Sequence, residues 1–127
     1  MAAKASVSPP EGDLSGAFEA LRAAARHLPD IVETTSYGTP ALKVGTKLLA
    51  RAKDSGTVVL MFPLDEKEML FEAAPDIYFE TDHYKGWPAI LVRLHAIPPE
   101  ELRQRLERIW QRQAPRKAVT AWLAAKS

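Results

Sequence analysis

The sequence contains no cysteine. Disulfides, thiol nucleophiles and the common cysteine-ligated zinc sites are therefore outside its chemistry, and a reducing compartment, the cytoplasm, is the expected location. No apolar run approaches the roughly 20 residues of a membrane-spanning helix, and the start lacks the apolar stretch of a secretory signal, so no membrane partner is expected. An excess of one charge is also missing. Seventeen basic side chains face 16 acidic ones in 127 residues, and a net charge of +1 does not by itself announce a polyanion partner. Gly38, Gly45, Gly56 and Gly86 stand alone as turn glycines, so there is no glycine-rich loop to cradle a phosphate. The three histidines, His27, His83 and His95, lack the spacing of a metal site, and the carboxylates do not follow a calcium loop. No cofactor, metal site or catalytic set is expected from these patterns.

What is present is the balance of an ordinary globular protein, with 46% hydrophobic and 26% charged residues. The length suits one domain. Residues 1–12, rich in Ala, Ser and Pro, read as a flexible tail, and residues 13–127 as a single α+β domain. A first helix is expected from Asp13 to His27, where Leu14, Ala17, Phe18, Leu21, Ala24, Ala25 and Leu28 recur at helical spacing. Strands follow at Val32–Tyr37, Ala41–Val44 and Lys47–Ala52, with Gly38-Thr39-Pro40 and Gly45-Thr46 as turns. Thr57–Phe62 is an apolar strand suited to the centre of a sheet.

A second helix opens at Pro63–Glu68, with Asp65 as its expected cap and Met69, Leu70 and Ala73 facing the core. Ile77–Glu80 and Ala89–Leu94 are the last strands. The third helix starts at Pro98-Pro99-Glu100-Glu101 and buries Leu102, Leu106, Ile109 and Trp110. A short fourth helix, Arg116–Leu123, turns Val119, Trp122 and Leu123 inward. The order predicts an antiparallel sheet with helices packed mainly on one face.

The near-neutral total conceals a segregation. Residues 64–82 carry seven acids against Lys67, and residues 103–127 carry seven bases against Glu107. The basic quarter reads first as the solvated back of a helix. A more pointed mixture occurs in Thr81-Asp82-His83-Tyr84-Lys85-Gly86-Trp87-Pro88, which puts an imidazole, a phenol, an ammonium and an indole into one short loop. His83 suits general acid–base work by its intrinsic pKa. Neighbouring residues of an extended segment point to opposite sides, however, so Asp82 is badly placed to orient the adjacent ring. Lys43, Lys47, Arg51 and Lys53 fall on or beside the first hairpin, where alternation could align several on one face. With Tyr84, Lys85 and Trp87 they form the mixture that grips phosphates and stacks bases. The candidate nucleic-acid-binding residues are Lys43, Lys47, Arg51, Tyr84, Lys85 and Trp87.

Tyr37-Gly38-Thr39-Pro40-Ala41-Leu42-Lys43-Val44, Lys47-Leu48-Leu49-Ala50-Arg51, the Thr81–Pro88 loop with the strand after it, and Ala114-Pro115 together resemble the MmcQ/YjbR family, in its order and from Leu14 to Leu123. The resemblance implies a frataxin-like, double-wing α+β fold and a non-enzymatic DNA-binding protein. The family's Asn-Lys-x-x-Trp pattern stands here as His83-Tyr84-Lys85-Gly86-Trp87, with Lys and Trp kept at altered spacing. The iron handling associated with frataxin-like folds needs an acidic first helix. Here Asp13 and Glu19 are balanced by Arg22 and Arg26, so iron is not expected. DNA and another protein are the candidate partners. The alternative to DNA binding is an interaction module that takes a protein or small ligand on the exposed sheet face.

Overall fold

The computed structural model describes residues 13–126; the expected N-terminal tail, residues 1–12, lies outside them. The elements run α1 (Ser15–Ala25), β1 (Ile31–Ser36), β2 (Thr39–Val44), β3 (Lys47–Asp54), β4 (Thr57–Met61), α2 (Lys67–Ala73), β5 (Tyr78–Phe79), β6 (Ala89–Arg93), α3 (Pro99–Gln113) and α4 (Arg116–Lys126). Short 3-10 turns at Leu64–Glu66 and Asp82–Tyr84 precede α2 and β6. The six strands form one antiparallel sheet in the order β1-β2-β3-β4-β6-β5. This is the α+β arrangement expected from the sequence, with β4 in the sheet interior. No helix among the described residues is long and apolar enough to cross a membrane.

α1 and α3 pack against each other and across one face of the sheet. Their apolar stripes, Ala17, Phe18, Leu21 and Ala24 on α1 and Leu102, Leu106, Ile109 and Trp110 on α3, meet Leu42, Leu49, Ala52, Val58, Leu60, Ile90 and Val92 from the strands. Outside β3, whose alternation a bulge interrupts, the strands contribute alternate residues because successive side chains leave a strand on opposite faces. Burial of these side chains contributes roughly 1.5–3 kcal/mol each. The Trp110 indole nitrogen donates to the Pro29 carbonyl at 3.1 Å, which satisfies the one polar group this large side chain brings into the core.

Several local expectations are corrected. Asp65 makes no side-chain cap, because a 3-10 turn leads into α2 and moves the helix start to Lys67. That shift rotates Met69 out to 63% exposure and leaves Ala73 exposed, so Leu70 alone of the three expected residues is buried. The first hairpin turn is Tyr37-Gly38, with both residues at positive φ, and Thr39-Pro40 already belongs to β2. On α4, Val119 and Trp122 pack on the core while Leu123 is 46% exposed. α4 is held at one side by Trp122, whose ring meets Trp110 edge-on at 5.3 Å.

Candidate nucleic-acid interface

Among the described residues, no α-helix lies across the other face of the sheet. The registers align Thr34, Ala41, Arg51, Val59, Leu91 and Phe79 in one row from edge to edge. Its apolar half is a small cluster of Val59, Ala89 and Leu91, closed by Met61, Phe79 and Tyr84. The residue 81–88 loop folds back over that half and carries Tyr84 to the middle of the sheet.

One buried ammonium organises the loop. Lys67, only 3% exposed, donates to the Tyr84 carbonyl at 3.1 Å and the Trp87 carbonyl at 2.9 Å, and its Nζ lies 2.6 Å from Oε1 of Glu80. Two carbonyl acceptors and a paired carboxylate make the burial of this ammonium tolerable. The sequence pattern does not mark Lys67 as a site residue. Its trace is the three-residue spacing from Lys67 to the buried Leu70, which sets a lysine on the inward line of α2. Gly86 takes φ +79° to turn the chain between the two carbonyls, a conformation that glycine adopts without strain. Trp87 is left 57% exposed on the far side of that turn, so it does not plug the core.

Arg51 is the hub between loop and sheet. It donates to Oγ1 of Thr39 at 3.1 Å and to the Tyr84 hydroxyl at 2.6 Å, and its guanidinium lies 5.2 Å from the centroid of the Tyr37 ring. Thr39 in turn donates to the Ser36 carbonyl. Tyr84 accepts from Arg51 through its oxygen, which leaves its own proton to donate outward. Tyr37 is the most exposed large side chain of the group at 82%, and its φ of +54° is a left-handed conformation rare for a bulky residue. At the other end of the row Arg93 stacks over Phe79 at 4.0 Å.

The six residues expected from the sequence are thus only partly brought together. Arg51, Tyr84, Lys85 and Trp87 share one neighbourhood through the loop. Lys43 is on the same face, one row along, between Val32 of β1 and Leu48 of β3. Lys47 is not on that face: it pairs with Val44, whose side chain belongs to the helix-side core. The reason is a bulge. Leu48 pairs with Lys43 and Ala50 with Leu42, leaving Leu49 without a partner, and an extra residue in one strand reverses the alternation. Lys47 and Leu49 therefore lean to the helix side, and Arg51 to the open side. Lys53 stands at a second register shift, between Ala52 and Asp54.

His83 is exposed, its ring edge-on to Tyr84 at 5.1 Å. Asp82 lies 3.6 Å from Lys85 and so pairs with the ammonium. The basic C-terminal quarter is largely engaged with acids. Arg103 meets Glu100 and Glu107, Arg105 meets Glu101, Arg112 meets Glu66, and Lys126 meets Glu107. A groove of about 470 Å³ between α1 and the start of α3, lined by Ala20, Ala23, Ile97 and Leu102 among others, holds none of the candidate residues. The candidate interface spreads across several strands of the open sheet face, an extent that suits an extended ligand.

Comparison with known proteins adds the family. The YjbR family model matches residues 26–112. The chain is 38% identical over 94 residues to Uncharacterized protein Mb2600 of Mycobacterium bovis and, equally, to Uncharacterized protein Rv2570 of Mycobacterium tuberculosis, covering 70% of this chain and 73% of each relative. Among solved structures, Deinococcus radiodurans protein DR2400, described by the family-model domain DUF419, superposes with a TM-score of 0.62 at 22% identity, over 74% of this chain and 75% of that one. That likeness is one of fold.

Proposed function

The chain belongs to the YjbR family, and from that premise we propose that it is a non-enzymatic, cytoplasmic DNA-binding protein that uses the helix-free face of its sheet. Lys43 and Lys85 supply mobile ammonium groups to backbone phosphates, whereas Lys47, turned to the helix side, is left out of this surface. Arg51 and the Tyr84 hydroxyl offer oriented N–H and O–H donors, and Trp87 offers an apolar ring. The observation that carries this reading is the Tyr37–Arg51–Tyr84 contact chain beside the exposed Trp87. It gathers aromatic faces and fixed donors on the open sheet face, which is how proteins hold a nucleic-acid strand with little sequence preference.

Fluorescence anisotropy of labelled DNA at two salt concentrations tests it. Affinity is expected to fall steeply with salt, because each neutralised phosphate releases counterions. Replacing Lys43 and Lys85 together by Ala should flatten that dependence by about 0.7–0.9 log units per lost contact. Absence of binding at low salt would remove the reading.

A second reading, a module for a protein or small ligand, is favoured by one feature. On the same face Val32, 49% exposed, and a half-buried Leu48 flank Lys43 on either side, apolar surface that phosphates do not need.

A further inference from the structure

Resting on the DNA-binding reading, we infer that the surface selects single-stranded DNA, with Tyr37, Arg51, Tyr84 and Trp87 forming a platform on which unpaired bases stack. A duplex hides its base faces inside its own stack. It is read by an element inserted into a groove or held through its phosphates alone. The helices here are poorly placed for the first role. α1 and α3 are packed on the sheet and on each other, and four basic residues of α3 and α4 already face carboxylates. The helix-free face offers ring planes instead.

The arrangement of those planes is specific. Tyr37 occupies the first position of a two-residue turn at φ +54°, where Asn or Gly would be comfortable and a bulky residue is strained. Its ring is nevertheless displayed to solvent, with the Arg51 guanidinium against it. A strained position that holds an exposed aromatic in place of an unstrained polar residue points to use of the ring. Arg51 is held in place by Thr39 and Tyr84, and a guanidinium plane stacks on a base as an aromatic ring does. On the far side of Tyr84, Trp87 is exposed on a turn whose two carbonyls are fixed by Lys67. The ring faces are thus displayed before any ligand arrives, so little ordering cost remains on binding. Charge fits a single strand as well. The strand-borne charges of this face, by register, are Lys43, Arg51 and Arg93, set against Asp54, whose carboxylate is engaged by the Gly56 amide.

The test titrates the full chain against a fluorescein-labelled thymidine oligonucleotide and against a blunt duplex of equal length, at low and moderate salt. The variants are Tyr37→Asn, Trp87→Ala and the wild type. Single strand is expected to bind at least about tenfold more tightly than duplex. Each variant should lose about tenfold for the single strand, the loss that follows removal of one stacking partner, and little for the duplex. Both substitutions fall at exposed positions, and Asn suits the turn, so circular dichroism should report unchanged folding. Equal affinity for both DNAs, with the variants unaffected, would overturn the single-strand inference and leave phosphate-driven DNA binding standing. Failure of both DNAs to bind would overturn the inference together with the reading it rests on.

Discussion

At the scale of single residues, Lys67 and Tyr78 show how buried polar groups fix the geometry of this fold. Lys67 holds two loop carbonyls and a carboxylate at once. Replacing it by Met keeps the stem and deletes the charge, which leaves Glu80 without its counter-ion. Breaking such a pair from one side costs about 3–5 kcal/mol when buried; Glu80 is itself partly exposed, so the low end is expected in urea unfolding. Lys67→Met with Glu80→Gln should recover part of that loss, because the uncompensated carboxylate is removed. If the single substitution left stability unchanged, Lys67 would not be the anchor of the loop. Tyr78 is sandwiched between Glu101, to which it donates, and Arg105, which donates to it at 2.9 Å. Burial first, and then the hydrogen bond to Glu101, push its phenol up to about 12 from 10.0. The raised folded-state value means the neutral phenol stabilises the fold fully below about pH 10, and that this contribution is lost as pH rises toward about 12. An ultraviolet titration should show a tyrosine ionisation step near pH 12, and Tyr78→Phe should abolish it.

At the scale of elements, the β1–β2 turn and the 81–88 loop carry the candidate interface. Only the turn is specified locally. Tyr37 and Gly38 at positive φ make the tight turn that matches the twist of its strands. For Tyr37→Asn, relief of a left-handed tyrosine contributes about 1 kcal/mol of stability, and loss of the exposed contact with Arg51 removes about 0.5–1 kcal/mol. The two nearly cancel. Thermal unfolding should therefore move little while binding falls, which separates the use of this ring from any part it has in folding. A large loss of stability would instead make Tyr37 a folding residue. The loop depends on an anchor contributed from α2, so its shape is a tertiary property that its own eight residues do not encode.

At the scale of the whole molecule, helical and strand periodicity made the architecture readable. The inward stripes of α1 and α3 and the apolar β4 follow directly from residue spacing, and so does the one-sided sheet. Three features were not readable for physical reasons. The bulge at Leu49 lies between equally apolar neighbours, Leu48 and Ala50, so nothing in the spacing announces the reversal that sends Lys47 to the helix side. The 3-10 entry to α2 shifts its phase and exposes Met69, because local turn geometry overrode the capping pattern. The Arg51–Tyr84 hydrogen bond joins residues 33 apart, a separation that only the folded sheet closes. Of the candidate residues, the loop aromatics were legible as a cluster of chemical types. The part of Tyr37 was not, since its conformation is visible only in the backbone.

The three tryptophans report directly on the location of the interface. Trp87 lies on the loop beside the open face, Trp110 is buried on α3, and Trp122 packs against it from α4. A two-dimensional NMR titration of the 15N-labelled chain with single-stranded DNA resolves their indole N–H signals. The Trp87 signal is expected to shift together with the backbone amides of Tyr37, Lys43, Arg51 and Lys85, while those of Trp110 and Trp122 stay in place. Shifts confined to Trp122 and the amides of Arg116 and Lys117 would put the contact on α4 and contradict this location.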